Sequence, residues 1–533
     1  MLAAAQFIMV LDTTVMNVSI SQIVDDLNTS VVGLQTAITI YTLVMAAFML
    51  IGGKLGSKWG PRSAYAIGLL VYGAGSLTTA LSPNLSVLLV GWSFIEGFGA
   101  VLVIPAIAAL TAVTYSGHQR ALAYGILGGV SGASAALGPL IGGWVTANFT
   151  WRLVFASETA VVLALMFFLR AIPSTPGRSI KLDLPGAFLS AAGLGMAVFG
   201  ILRSSQWGWI TPKAGAPFTA VGISPVFFLI IAGAVLIWLF IRHEEKVIAA
   251  NGEPLLDIRL LTIPALRAGL TILLAQQFII MSTFFILPLY LQTVLGFDSL
   301  QTGITILPLS LSLFFFALGG SSLTGRFSPQ RIVLVGLFGL LVAEILLIFY
   351  TAPNLRTIGF GIALGLIGAG LGLMSSQISN VNMSAVPPER GIEVGGLQGT
   401  AQNLGASLGT ALIGSILIAS LVTNFQQGVQ TDPVLSPVSE EIVAAAEASA
   451  NFVTVDQVRV FAEQSGLTEE QVNAVAIDYA DAQITSLKSA FAGIAIFALL
   501  ALVYVHRLPK KASRSKDPVK KRANPKTKMR CHK

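Results

Sequence analysis

Asp12 sets a carboxylate inside an otherwise apolar run, Leu11-Asp12-Thr13-Thr14-Val15-Met16-Asn17-Val18. The stretch from Leu2 to about Val24 can cross a bilayer as a helix, which takes roughly 20 residues. A carboxyl near the middle of such a helix costs about 2.5 kcal/mol or more, so it is either held by a neighbouring helix or kept for function. A carboxyl removed from water disfavours its charged form, which suits it to holding a proton. Three more acids fall in apolar stretches: Glu96, Glu158 and Glu344. Glu158 follows Trp151-Arg152, and two roles stand level for it, an ion pair with Arg152 near the outer surface or a share in the work of Asp12. Glu344 reads as a packing residue. The amides Gln276, Gln277, Gln377, Asn380, Asn382, Gln402 and Asn403 can line a cavity, or simply bond one helix to another.

These groups need a membrane scaffold, and the composition supplies one. Of the 533 residues 54% are hydrophobic and 11% charged, with a mean hydropathy of +0.79. A soluble domain carries about 25% charged residues, so the chain is an integral membrane protein. The single cysteine, Cys531, excludes a disulfide framework and a cysteine metal site, and the four scattered histidines make no ligand cluster. The opening helix does not read as a cleaved signal: it lacks a basic lead and contains Asp12.

Fourteen apolar stretches are expected, at about 2–24, 34–54, 64–82, 86–114, 121–147, 152–171, 184–203, 225–242, 266–292, 301–323, 331–350, 357–386, 391–421 and 485–506. An even count puts both termini on one side. Of the 32 Lys and Arg, 26 then fall in the loops and tail of that side, including 12 after His506, which makes it the cytoplasm. The net charge of +7 therefore marks a tail beside anionic lipid rather than a nucleic-acid arm. Leu34-Gln35-Thr36-Ala37-Ile38-Thr39-Ile40 returns as Leu300-Gln301-Thr302-Gly303-Ile304-Thr305-Ile306, and Gly52-Gly53 as Gly319-Gly320. The repeat predicts two parallel six-span halves with a site between them. It divides the chain into 1–171, a linker 172–265 with two extra spans, 266–506, and a basic cytoplasmic tail 507–533. An acidic outer loop is expected over 422–486, with capping boxes Thr454-x-x-Gln457 and Thr468-x-x-Gln471 opening short helices.

The loop after the second span reads Gly53-Lys54-Leu55-Gly56-Ser57-Lys58-Trp59-Gly60-Pro61-Arg62. It resembles the signature loop of the major facilitator superfamily. Gly125, Ser134, Gly138, Pro139, Gly142 and Gly143 in the fifth span resemble that superfamily's antiporter motif, with Ser134 where a glycine is usual. Small residues let a neighbouring backbone approach closely and Pro139 bends the helix, so this span can act as hinge or seal. With the Leu11–Val18 motif and fourteen spans, the chain looks like the fourteen-span drug:proton antiporters of the EmrB/QacA type. The resemblance implies an all-α major facilitator fold and a proton-driven exporter. In that picture Asp12 and Asn17 belong to the proton and substrate machinery, and Gly53, Lys58, Gly60 and Arg62 form a cytoplasmic gate loop.

Two departures stand out. Ser57 occupies a position that is usually acidic, and Ser93, in Gly91-Trp92-Ser93-Phe94-Ile95-Glu96-Gly97, one that normally offers a coupling arginine. Glu96 and Glu158 are then the groups left to assist Asp12. The expected function is export of lipophilic solutes, cations included, across the plasma membrane by exchange for protons. The proton gradient stands in for any cofactor. An exporter of a single endogenous lipid or metabolite, or a receptor that transports nothing, is the alternative. No nucleophile–base pattern, nucleotide loop or metal-ligand spacing supports an enzyme.

Overall fold

The computed structural model describes residues 1–510 apart from 30, 175, 178, 214, 220, 324–325, 356, 388–389, 440–441 and 444–451. Most of the expected tail, with Cys531, thus lies outside the described residues, as do the side chains of Asn17 and Pro139. The regular elements are helices. The first half holds α1 (Leu2–Val18), α2 (Ile20–Asp26), α3 (Val31–Trp59), α4 (Pro61–Ala80) and α5 (Leu85–Leu88). A π-helical stretch, Leu89–Glu96, joins α5 to α6 (Gly97–Thr114), followed by α7 (Gly117–Asn148) and α8 (Arg152–Phe167). Then come α9 (Leu184–Trp207) and α10 (Pro225–Ala249). The second half runs through α11 (Pro264–Leu289), α12 (Ser299–Ser322), α13 (Pro329–Tyr350), α14 (Thr357–Ser384), α15 (Gly391–Thr431), α16 (Val455–Gln464) and α17 (Glu469–Tyr504).

Every expected apolar stretch coincides with helix. Among the described residues, 11 helices are long and apolar enough to cross a membrane, and Leu2–Met16 is an apolar but shorter one. Outward-facing Phe167, Phe188, Phe349, Ile358 and Leu500 are largely exposed, as helices bathed in lipid require. Local chemistry sets the helix starts. Asp298 and Gln301 cap α12 reciprocally, Ser328 caps α13 ahead of Pro329, and Gly60 takes φ +87° so that the chain can turn from α3 into Pro61 of α4.

The two largest hydrophobic cores are formed one by residues between Ala5 and Ile172 and one by residues between Ala268 and Leu508. The repeat is visible in the packing: α1 lies on α7 and α7 on α12, as α11 lies on α15 and α15 on α3. Each half thus hands one helix to the other.

Much of the expected outer segment 422–486 is helical, and the helices reach further into it than the capping boxes alone foretold. Leu421, Phe425 and Val429 recur at helical spacing and carry α15 on to Thr431. Val472, Val475 and Tyr479 do the same for the start of α17, and both stripes close on one small core with Ala462. Both predicted capping boxes form, opening α16 and α17.

Candidate functional site

Glycines bring the acids together. A Cβ at Gly75 of α4 would stand 2.5 Å from the Glu96 backbone nitrogen, and one at Gly99 2.5 Å from that of Tyr72. The α4 backbone therefore lies directly on the helix that carries Glu96. The π-helical turn Leu89–Glu96 directs Trp92 and Glu96 into the same interior, while Ser93 donates to the carbonyl of Ala37 at 2.8 Å. Ser93 is thereby spent on packing against α3.

Asp12 from α1, Glu96 and Glu158 from α8 are fully buried, and one oxygen from each lies within 4.8 Å of the others. Trp92 Nε1 donates to both Asp12 oxygens, at 2.9 and 3.1 Å. Tyr72 and Ser76 hydroxyls donate to Glu158 Oε2 at 3.4 and 3.3 Å. Neither Glu96 oxygen, nor Glu158 Oε1, meets a hydrogen-bond partner. Arg152 does not reach this cluster: it pairs with Asp26, donates to the Ser82 carbonyl and stacks on Trp151. The ion pair weighed for Glu158 is thus excluded, because Asp26 offers Arg152 a partner closer to the surface. Three carboxyls this close, with no cation beside them among the described residues, repel one another when charged. Together they can share protons, and their oxygens are also spaced to hold a cation.

Beside this cluster lies a cavity of about 290 Å³ between the halves. Its walls include Gln6 and Thr13 of α1, Tyr41 of α3, Tyr124 of α7, Gln276 and Gln277 of α11, and Gln398, Gln402 and Asn403 of α15. Met9, Met45, Met281 and Phe284 add soft apolar surface. Tyr41 stacks on Trp92 with ring centroids 4.7 Å apart and planes 9° from parallel. Tyr41 lines the cavity, and Trp92, stacked behind it, holds Asp12 at its indole edge. Gln398 Nε2 is buried and meets no acceptor among the described residues, which costs about 1–3 kcal/mol.

Three amides expected in the cavity, Gln377, Asn380 and Asn382, lie elsewhere, the last buried beside Gly269 of α11. Gln377 donates to the Gly320 carbonyl at 3.0 Å, and Asn380 accepts from Arg120 at 3.1 Å, so both bond helix to helix. Glu344 accepts from Thr283 at 3.4 Å inside the second core. Sequence reading missed Tyr41, Tyr72, Trp92 and Gln398. Trp92 stands four residues before Glu96, a helical spacing that shares its face, and was the one of these with a visible signal.

The antiporter-like helix α7 touches both halves. A Cβ at Gly125 would stand 2.6 Å from the Ala317 carbonyl oxygen of α12, and one at Gly142 2.8 Å from the Val15 side chain of α1. Gly138 is tightest, against Thr14. Buried Ser134 donates to the Val130 carbonyl at 2.8 Å, and Gly143 is half-buried. On the face of the basic loops, Gly53 lies against Ile392 and Gly396 of α15, Lys58 is exposed and Arg62 half-buried. Ser57 donates to the Gly53 carbonyl at 3.2 Å. The ion pairs here come from Asp257, which accepts from Arg259 at 2.8 Å and Arg390 at 2.7 Å. Burial alone pushes the Asp257 carboxyl up, but the two guanidiniums prevail and hold it at about 2. Its stabilising contribution is present above the ordinary carboxylate range and is lost as pH falls through about 2. Lys54 Nζ donates to the Pro254 carbonyl at 2.5 Å, so residues 254–257 tie α3 to α15.

Fold, lipid-facing surface and interior cavity define a multi-pass membrane protein. A family model described as the Major Facilitator Superfamily matches residues 2–211 and 184–410, and the chain belongs to that superfamily. It is 28% identical over 421 residues to the puromycin resistance protein pur8 of Streptomyces alboniger, covering 78% of this chain and 80% of that one. It is 26% identical over 443 residues to the multidrug resistance protein Stp of Mycobacterium tuberculosis, covering 82% and 79%. The tetracenomycin C resistance and export protein of Streptomyces glaucescens is 28% identical over 428 residues, covering 79% and 75%. Among solved structures, the proton:xylose symporter XylE superposes with a TM-score of 0.56 at 12% identity, covering 96% of this chain and 94% of that one.

Proposed function

We propose that this transporter is a plasma-membrane exporter that exchanges protons for lipophilic organic solutes, as the drug:proton antiporters do. The observation that carries the reading is the buried Asp12–Glu96–Glu158 cluster, without a cation partner among the described residues, set one aromatic layer from a cavity between the halves. The resistance and export proteins among its relatives agree with it. Protons taken up by the cluster and a solute held in the cavity would favour opposite arrangements of the halves. Rocking of the halves, with α7 as the shared joint, would then exchange one for the other. About 2.3 kcal/mol per charge per 100 mV of membrane potential is available to drive it.

The test is uptake into inverted vesicles from a panel of dyes and metabolites, with and without an acid lumen. Concentrative uptake that appears only with the gradient is expected. Binding without flux would leave a receptor, and flux of a single compound would leave a dedicated exporter. Orientation has its own check. A reporter fused after Lys533 should lie in the cytoplasm and one inserted at Gly466 outside; both on one side would refute the fourteen-span topology.

A further inference from the structure

Arg267 and Arg507 come together at one end of the second half, on the face of the basic loops. Arg267 lies in the first turn of α11, and Arg507 ends the short helical turn Val505–Arg507 that follows α17. The two helices pack together, with Phe278 stacked on Phe497 at 3.7 Å between ring centroids. Two helical turns nearer the basic loops stand Thr271 and Tyr504, and Thr271 lies beside the Tyr504 hydroxyl. The Arg507 guanidinium covers the Tyr504 ring, 4.8 Å from its centroid, and the charges of Arg507 and Arg267 both act on the tyrosine hydroxyl. Both arginines are exposed. Neither has a carboxylate partner among the described residues, whereas Arg242, Arg259 and Arg390 on the same face each have one. Val505 and Leu508, 1% and 3% exposed, sink into the second core and fix the turn that carries Arg507. Toward the middle of α17 the surface turns apolar, with Ile496, Leu499, Leu500 and Val503 exposed. Two guanidiniums and a phenol at the end of a lipid-facing strip are the complement of a phosphate that carries acyl chains.

We propose that Arg267, Arg507 and the Tyr504 hydroxyl form a headgroup site for an anionic phospholipid. The phosphate lies between the two guanidiniums, and the acyl chains run along Leu499, Leu500 and Val503. A lipid held there ties the start of α11 to the end of α17, the first and last spans of the second half. The site stands whether or not protons drive transport.

The experiment uses the full chain, purified in a non-ionic detergent and titrated with dioleoylphosphatidylglycerol or dioleoylphosphatidylcholine while bound lipid is counted by native mass spectrometry. Phosphatidylglycerol should fill one saturable site about twentyfold more tightly than phosphatidylcholine. Arg267→Gln and Arg507→Gln should each weaken its binding about fivefold, and the double variant should bind the two lipids alike. The basic tail is a rival source of attraction, so Lys520→Gln, Lys521→Gln and Arg522→Gln are combined in a further variant. That variant should keep the tight site. Equal affinity of the parent for the two lipids overturns the proposal. So does a preference that is lost in the tail variant and kept in the Arg267 and Arg507 variants. Millimolar inorganic phosphate should leave the lipid in place; displacement by it would assign the two arginines to a soluble phosphate and overturn the lipid site.

Discussion

Asp12→Asn should stay folded in the membrane and lose all uphill export. The asparagine carbonyl can still accept from Trp92 Nε1, now at 2.9 Å from Asp12 Oδ1, so the stack with Tyr41 is kept. What disappears is a proton site. A gradient of one pH unit is worth about 1.4 kcal/mol per proton and supports up to about tenfold accumulation per proton exchanged. The parent should approach that limit in inverted vesicles and the variant should level off at equal concentrations, with downhill flux remaining. Glu96→Gln and Glu158→Gln should each displace the pH profile of transport. Glu96→Gln keeps the size of the side chain and removes only its ability to titrate. If Asp12→Asn pumps like the parent at every pH, Asp12 is structural and coupling falls to the two glutamates or is abandoned for a facilitator. Uptake that follows a sodium gradient and ignores pH would make the same three carboxylates a metal-cation site.

The other large effect belongs to α7. The Cβ of any residue at Gly138 would come within 2.5 Å of Thr14 Cβ, and Thr14 sits two residues from Asp12 on the helix that packs there. Gly138→Leu should abolish transport while leaving protein in the membrane. Gly138→Ala should already lose much of it, because forcing one methyl into a closed contact costs about 1–3 kcal/mol. Gly142→Leu should match it for the same reason, against Val15. Gly339→Ala is the control, since nothing lies within 4 Å of a Cβ there. Transport rates and membrane content measured together decide the matter: normal efflux from Gly138→Leu would mean that α7 packs more loosely than this contact requires.

Much of this molecule was legible in the residue order. Apolar length located the helices, because a lipid-spanning segment must satisfy its backbone internally and so declares itself by length. Thr454-Gln457 and Thr468-Gln471 announced their caps because a capping box is closed within four residues. Asp12, Glu96 and Glu158 stood out singly, since each carries a visible cost in an apolar run.

Which of these groups meet was decided only by tertiary packing. Asp12, Glu96 and Glu158 lie on three helices, and their approach depends on how far each helix is rotated and how closely it lies, which is set by contacts such as Gly75 on Glu96 and Gly99 on Tyr72. The partner of Glu158 followed from the same rotations: Arg152 is six residues away in the chain, yet Tyr72 and Ser76 are the groups beside it. Gln277 and Gln377 look alike in sequence, and only their facing separates a cavity wall from a helix-to-helix bond. The stacking of Tyr41 on Trp92 had no sequence signature, because two aromatic residues on different apolar helices show their contact only when the helices are placed side by side. Helical period and hydrophobic length are local properties that a sequence carries on its face. The distance between two carboxyls on different helices is the sum of many close contacts, and it exists only once they are all made.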